Sequence, residues 1–328
     1  MSEERAAGVG HPDLRGKRVL VTGASGFLGA NLCRTLLHAG ASVHAAVRPS
    51  SELFRLGDVT YEVKIHAFDL CDREAVHRAV VNVRPTFVFH AAAHTAVHHQ
   101  ANVASEAADT VTATAQLLDA VAAVGCERLV HVGSSLEYGP ADRPHREDDA
   151  LRPSTLRGAT KAAATLLVLQ QAREGTVAAV VVRPFSIYGL WEPDCRLVPS
   201  AIRAAFTGEV LPLTKPGLRR DFVFVEDVCE ACLCAALKDG VVGEAINLGT
   251  GRQTSNEELV ALVERVTGLT VKVAVGAFSA RVSDRGFWAA DTGKAERLLG
   301  WVAGHSLTDG LEKTVGWFVR RTASGAGE

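Results

Sequence analysis

Short apolar stretches recur along the first part of the chain, and segments with helical spacing separate them. The first stretch, Arg18 to Thr22, precedes a glycine-rich turn, a segment with leucines at positions 28, 32, 36 and 37, and a second apolar stretch, Ser42 to Val47. This order predicts a strand, a helix and a second strand. The alternation continues through YEVKIHAFDL, TFVFHAAA, RLVHVGSS and TVAAVVVRPFSIYG, with helices from Arg73 and over about 104–124. We therefore predict an α/β fold, a Rossmann-type doubly wound parallel sheet with helices on both faces.

The alternation weakens from about Leu190, where Pro-rich and Gly-rich connections such as EVLPLTKPGLRRDF begin. We expect a dinucleotide-binding Rossmann domain over 1–189 and a smaller C-terminal substrate-binding lobe, mainly 190–328. Apolar segments within about 222–250 are expected to return to the first domain.

Composition mainly excludes classes of partner. The 328 residues carry a formal net charge of -2 with mixed signs, which gives no electrostatic footprint for nucleic acid or an anionic membrane. No run of residues is long and apolar enough for a membrane span, and the N-terminus has no apolar signal core. We expect small-molecule partners, no nucleic acid, no membrane and a cytoplasmic location. The seven cysteines predict neither a disulfide framework nor a metal site; Cys229, Cys232 and Cys234 fit one buried side of a helix.

The clearest chemical motif is TGASGFLG, in which Gly23, Gly26 and Gly29 follow a strand and open a helix. Glycines there let the backbone approach a pyrophosphate, and the helix N-terminus supplies unpaired N–H groups. In this context the motif predicts dinucleotide binding, with Ser25, Phe27 and Leu28 in the same turn.

The end of the second strand bears on the choice of dinucleotide. NAD sites usually place Asp or Glu there for the ribose 2'-hydroxyl, whereas this chain has Arg48. Because a guanidinium fits a 2'-phosphate, NADP(H) is favoured. NAD(H) stays possible, since an exposed Arg after a strand is also common.

Seven ordered motifs together carry a family resemblance that runs from about Lys17 to Phe318. They are the glycine triplet, HAAA at 90–93, VGSSLEYG at 132–139, a lysine in RGATK at 157–161, RPFSIYG at 183–189, RRDFVFVEDV at 219–228 and NLGTG at 247–251. The chain resembles the extended short-chain dehydrogenase/reductase family, and within it the NAD(P)-dependent nucleotide-sugar epimerases, dehydratases and ketoreductases.

The resemblance implies a role for particular positions. Lys161 would hold the nicotinamide ribose, Ser134 would hydrogen-bond the reacting oxygen of the substrate, and Arg219 or Arg220 would clamp the sugar-nucleotide diphosphate. Asp69 resembles the carboxylate that contacts adenine, although it could be a simple turn residue. The remaining positions implied to contact the cofactor are Leu70, Ala91, Ala92 and Pro184, and those implied to contact the substrate are Ser135, Glu137, Ser186 and Asn247.

The main departure from the family is Arg157, which stands where the catalytic tyrosine is expected. A guanidinium cannot cycle a proton near neutral pH. It could stabilise an oxyanion while water or Ser134 relays the proton. Alternatively, Tyr138 or His94 could be a displaced acid, although Tyr138 could equally be a packing residue. Arg157 could also bind a substrate carboxylate or phosphate. Two smaller departures replace family asparagines by Thr110 and Ser186.

The resemblance implies a nucleotide-sugar-modifying enzyme, and Arg48 favours an NADPH-dependent ketoreductase of an NDP-4-keto-6-deoxyhexose. The alternatives are an epimerase or dehydratase with tightly bound NAD, and a protein that binds cofactor or sugar nucleotide without catalysis.

The helical segments TVTATAQLLDAVAAV and GATKAAATLLVLQQA are apolar around much of their circumference. With the family's habit of pairing these helices, this predicts a homodimer through a four-helix bundle.

Overall fold

The computed structural model describes residues 14–93, 102–278 and 287–323. Its strands are β1 (Arg18–Thr22), β2 (Ser42–Val47), β3 (Lys64–Ala67), β4 (Phe87–His90), β5 (Arg128–Val132), β6 (Ala179–Pro184), β7 (Ser186–Tyr188), β8 (Leu211–Thr214), β9 (Arg219–Arg220), β10 (Phe222–Phe224), β11 (Ala245–Leu248), β12 (Thr254–Ser255) and β13 (Val273–Phe278). Its α-helices are α1 (Phe27–His38), α2 (Arg73–Val83), α3 (Val103–Ala107), α4 (Ala113–Val124), α5 (Leu156–Arg173), α6 (Leu197–Thr207), α7 (Val225–Leu237), α8 (Asn256–Thr267), α9 (Gly293–Leu299) and α10 (Leu307–Ala323).

Seven parallel strands form the central sheet in the order β11-β6-β5-β4-β1-β2-β3. The strand order reverses between β1 and β4, where Val19 of β1 lies in register with Val43 of β2 on one side and Phe87 of β4 on the other. Such a reversal leaves a crevice outside the carboxyl ends of the two strands, which is where ligands bind in open α/β sheets. The predicted α/β fold with a parallel sheet is confirmed.

Both faces of the sheet are buried, because residues of each strand point alternately to two separate cores. Val19 and Val21 of β1 belong to the core that includes Leu32 of α1 and Val228 of α7. Leu20, between them, belongs to the core under α2, α4 and α5. This two-sided burial accounts for the continuous apolar character of the strands, which is typical of parallel sheets.

The remaining elements form a smaller lobe beside the carboxyl end of the sheet. In it, β13 pairs with β8, β12 with β9, and β10 with β7. The chain leaves the sheet after β6 to build part of the lobe and comes back through α7 and β11, which pairs with β6 at Ala245 and Val181. Within the three described ranges, no helix combines the length and the apolar character needed to cross a membrane.

Candidate active site

The glycine-rich turn between β1 and α1 lies against the end of β4. Gly23 has φ +68°, and a Cβ on it would lie 2.8 Å from the backbone of Ala92. A β-carbon on Gly26 would lie 3.1 Å from the carbonyl oxygen of Gly23. The turn therefore needs glycine at position 23 and is tight at position 26, and it brings backbone N–H groups and the start of α1 to the crevice. Gly29 is buried, whereas Ser25, Phe27 and Leu28 are only half-buried around the turn.

The far rim of the crevice carries charged side chains. Arg48 is exposed after β2, and its guanidinium lies 3.5 Å from the carboxylate of Asp109. Asp69, exposed after β3, accepts a hydrogen bond from the backbone N–H of Cys71 at 2.8 Å, and the neighbouring Leu70 is half-buried. This contact is the one expected if Asp69 is a turn residue, the alternative to a contact with adenine.

Lys161 lies at the carboxyl end of the sheet. The Thr155 side chain caps α5 by accepting from the N–H of Gly158, and Lys161 follows in the second turn with 4% of its surface exposed. Its Nζ donates to the carbonyl oxygen of Val132 at 2.7 Å. Burial and, after it, repulsion from Arg157 lower the pKa of the ammonium to about 8, and attraction to Glu137 opposes the shift.

Arg157 lies one helical turn before Lys161 and is exposed to solvent. Desolvation nevertheless lowers the pKa of the guanidinium, repulsion from Arg196 adds to the effect, and attraction to Glu106 opposes it. None of the described residues forms a hydrogen bond or an ion pair with this guanidinium. Glu106 on α3 is 3% exposed, and its Oε2 has no hydrogen-bond partner. Arg157 thus presents a fixed positive charge beside Lys161.

Ser134 follows β5 and begins a short 3-10 helix, Ser135–Glu137. Its Oγ accepts from the N–H of Leu136 at 3.2 Å, and its own N–H donates to Oε1 of Glu137 at 2.8 Å. This capping box fixes the Ser134 backbone and leaves the O–H of its half-buried side chain for a ligand.

Glu137, Tyr138 and Asn247 belong to a buried network behind this turn. Glu137 accepts from Arg183 at 2.8 Å and from Thr165 at 3.0 Å. The Tyr138 hydroxyl accepts from Arg183 at 2.9 Å and donates to Asn247 at 2.7 Å. Asn247 is fully buried and donates through its side chain to the carbonyl oxygen of His145.

These contacts correct three of the predicted roles. The carboxylate of Glu137 and the amide of Asn247 are occupied within the protein rather than facing a substrate. Burial raises the pKa of Tyr138, whose proton is already donated, and the ring stacks on His145 at 4.9 Å. Tyr138 is therefore a packing residue of the network, not a displaced acid. His94, the other candidate acid, lies outside the described residues.

A second buried polar group lies under Lys161, on β4 and β5. His90 is held between the hydroxyls of Thr22 and Thr114 at 2.7 and 2.9 Å, and its ring lies 5.1 Å from that of His131. Burial and, after it, the charge of Lys161 lower the pKa of His90 to about 3. Burial and then Lys161 also lower the pKa of His131, so both imidazoles are neutral near pH 7.

The lobe brings one of the two candidate diphosphate arginines toward Ser134. Arg220 lies over the ring of Trp288 at 5.1 Å, and the indole N–H of Trp288 donates to Ser135 Oγ at 3.3 Å. Arg219 instead pairs with Glu258 at 3.3 Å on the surface of the lobe. Arg220 is thus the better placed of the two, and Ser135 anchors Trp288 through its only side-chain oxygen.

Asp221, next in the chain, ties the lobe to the sheet. Its buried carboxylate accepts from Thr250, Gly251 and Ala290, with distances of 2.6–3.1 Å. Its backbone carbonyl accepts from the N–H of Ser186, which is half-buried at the start of β7. The NLGTG segment is therefore a structural connection at this edge.

Three contributors to the site were missed by the sequence interpretation: Arg183, Trp288 and Arg196. A charged residue inside the apolar strand AVVVRP was a usable signal, because a buried charge requires a partner. Arg196 approaches Arg157 only through folding of the loop after β7, and no local sequence pattern predicts this approach.

Thr110, where the family has asparagine, is buried in a π-helical turn, Ala108–Thr112, which joins α3 and α4.

Comparison with known proteins agrees with this architecture. The model of the NAD dependent epimerase/dehydratase family matches residues 19–249. A dTDP-glucose 4,6-dehydratase of Streptomyces griseus is 31% identical over 92% of this chain and 93% of its own length. A dTDP-6-deoxy-L-talose 4-dehydrogenase (NAD(P)(+)) of Kitasatospora kifunensis is 30% identical over 93% of this chain and 96% of its own. The solved structure of MoeE5 in complex with UDP-glucuronic acid and NAD has a TM-score of 0.81 and 32% identity, covering 92% of this chain and 99% of that one.

The chain therefore belongs to the NAD dependent epimerase/dehydratase family and is an enzyme of that type. Its residues fit a dinucleotide. Glycines 23 and 26 let the turn fold closely on itself and on the end of β4, which places the N-terminus of α1 at the crevice. Lys161 Nζ bonds the end of β5, the second strand from β1 on that side.

Proposed function

We propose that this protein is a ketoreductase that uses NAD(P)H to reduce an NDP-4-keto-6-deoxyhexose. The observation that carries the proposal is the replacement of the family tyrosine by Arg157 beside a retained Lys161 and Ser134. Reduction of a ketone places negative charge on the carbonyl oxygen, which two cations and a hydroxyl can stabilise. Epimerisation and dehydration through a bound NAD begin instead by removing a hydroxyl proton, which neither a guanidinium nor a protonated lysine can accept.

Arg48 supports NADP(H) as the preferred dinucleotide, because its exposed guanidinium can bind a 2'-phosphate. The ion pair with Asp109 is long, at 3.5 Å, and lies at the surface. Breaking it to bind a phosphate therefore costs little free energy. The related talose dehydrogenase is named for either dinucleotide, whereas the MoeE5 structure contains NAD. Both cofactors therefore belong in the test.

Arg220 supports a substrate with a diphosphate, since it is the lobe arginine that lies over Trp288, whose indole N–H bonds Ser135. The names of the similar proteins include dTDP- and UDP-linked sugars. The sugar would then lie between Ser134 and Arg157, with the nucleotide toward the lobe.

Turnover should be measured as oxidation of NADPH, and in parallel of NADH, with a panel of dTDP-, UDP-, GDP- and CDP-linked 4-keto-6-deoxyhexoses. We expect turnover with at least one sugar and a higher kcat/KM with NADPH. Absence of turnover, with NAD retained by the purified protein, would favour an epimerase or dehydratase instead. Cofactor binding with no reaction on any keto or hydroxy sugar would favour a non-catalytic binding protein.

We also propose a homodimer in which α4 and α5 of two chains pair. Leu166 and Leu167 on α5 are 55% and 38% exposed, which leaves apolar surface beyond the face that packs on the sheet. Light scattering at micromolar concentration is expected to give twice the chain mass. A monomeric mass there would contradict the dimer, and Leu166→Glu is expected to produce that monomer.

A further inference from the structure

We infer that Lys161 gives the proton to the alkoxide formed on the sugar, and so performs the task that the family assigns to a tyrosine. The inference rests on the proposed ketoreductase function and identifies the proton donor of that site.

The ammonium group of Lys161 carries N–H bonds that can donate, and it is hydrogen-bonded to the end of β5, close in the chain to Ser134. Of the three N–H bonds of its ammonium group, one is donated to Val132, whose carbonyl oxygen is 2.7 Å away. Val132 ends β5, two residues before Ser134. Arg157 is four residues earlier on α5 and therefore on the same face of the helix. The ammonium, the guanidinium and the Ser134 hydroxyl thus share one edge of the site.

The other donors near this edge are already committed or cannot release a proton. Tyr138 donates to Asn247 within the buried network. Both ring nitrogens of His90 are hydrogen-bonded, to Thr22 and to Thr114, and a neutral imidazole does not release a proton near neutral pH. Arg157 keeps its proton across the working pH range. Among the described groups around Ser134, Lys161 is the one that can release a proton near neutral pH.

The electrostatic surroundings tune this release. Burial and the charge of Arg157, from the same helix, lower the pKa of Lys161 to about 8, while Glu137 from the turn after β5 acts in the opposite direction. His90 on β4 and His131 on β5 also face the ammonium, and they are neutral. A general acid is most effective when its pKa lies near the operating pH. Arg157 therefore has two effects: it stabilises the oxyanion and makes Lys161 a stronger acid.

The step balances in atoms and charge. The reduced dinucleotide, when bound, supplies the hydride that forms the new C–H bond as the C=O group becomes a C–O⁻ group. The Nζ–H bond of Lys161 breaks and an O–H bond forms on the sugar. Lys161 is left as a neutral amine and takes a proton from water before the next turnover.

The titration of Lys161 can be measured without any turnover. Protein labelled with ¹³C at lysine Cε is titrated by NMR, and Lys161→Arg identifies the resonance. We expect a midpoint near pH 8 and an upward shift in Arg157→Gln, because that variant removes a repelling charge. Arg173→Gln, in the last turn of the same helix, is the matched control and should leave the midpoint unchanged, because Arg173 is not among the charges that act on Lys161. An ordinary lysine midpoint, or one that Arg157→Gln does not move, would overturn the inference.

The kinetic test follows kcat against pH with the sugar that the wild type reduces. Because the reaction needs protonated Lys161, kcat should be level below the NMR midpoint and fall about tenfold per pH unit above it. In Arg157→Gln the falling limb should move to higher pH. Lys161→Arg keeps the charge but cannot release a proton, so kcat should drop at least ~10²-fold and lose this limb.

The two tests separate this inference from the proposed function. A wild type that titrates as expected but reduces no ketosugar contradicts the ketoreductase function, and with it the role of Lys161 as a donor. A wild type that reduces a ketosugar, while Lys161→Arg retains the wild-type rate or the falling limb, overturns the role of Lys161 alone.

Discussion

Glu137→Gln is expected to lower the free energy of unfolding by about 3–5 kcal/mol, because it leaves the buried Arg183 without its counter-charge. The side chains of the pair are 3% and 0% exposed and lie 2.8 Å apart. Glutamine keeps the shape but offers one acceptor oxygen where the carboxylate accepts from Arg183, Ser134 and Thr165. One of these donors would face an NH₂ group. Urea or thermal unfolding followed by circular dichroism measures the loss.

A matched control comes from an exposed pair. Glu127 accepts from Lys17 at 2.8 Å, but their side chains are 57% and 41% exposed, so Glu127→Gln should change stability by less than about 1 kcal/mol. Adding Arg183→Met to Glu137→Gln should cost less than the sum of the two single variants, since the buried charge is then removed. Equal stabilities of Glu137→Gln and Glu127→Gln would show that the buried ion pair stabilises the fold no more than the exposed pair does.

Arg157→Ala is expected to lower kcat for ketosugar reduction by about 10²–10³-fold, equivalent to roughly 2.7–4 kcal/mol of transition-state stabilisation. The guanidinium is exposed to the site and has no partner among the described residues, so its charge is available to the developing oxyanion. Arg157→Lys keeps the charge without the planar fork and should retain part of the rate. The comparison is made at pH 6, where Lys161 is protonated in every variant.

Arg173→Ala serves as the control for this series. Arg173 is an exposed residue in the last turn of α5, the helix that carries Arg157 in its first turn. Its removal should cost a few tenths of a kcal/mol in helix stability and leave kcat unchanged. Equal rates for Arg157→Ala and Arg157→Lys would contradict an electrostatic role and favour a steric one.

The sequence was sufficient for the fold because its local patterns agree with the tertiary structure. The βαβ unit predicted at Arg18 to Val47 forms with the predicted strand bounds, since strands buried on both faces leave continuous apolar runs. The glycine turn was predictable for a similar reason: only glycine fits the positive φ at Gly23 and its approach to Ala92.

The roles of individual polar residues could not be derived in the same way. Glu137 and Tyr138 come from one motif that is typical of a site and Asn247 from another, yet their side chains are hydrogen-bonded within one buried network. Which polar group faces the ligand depends on partners far away in the chain; Tyr138 and Asn247 are 109 positions apart. The same holds for Arg219 and Arg220, adjacent in sequence, since one turns to Glu258 and the other to Trp288.

The return of the chain to the sheet through β11 means that the two parts of the molecule are interleaved. The lobe begins before β11 and continues after it, so no single cut separates a complete sheet from a complete lobe. A fragment ending at Gly189 would leave β6 as a bare edge, with its fully buried Val181 and Val182 without a neighbouring strand and open to pairing with other chains. A fragment that contains the whole lobe would also contain β11, which belongs to the central sheet. A change of substrate is therefore easier to obtain by insertions in the loops than by exchange of the whole lobe.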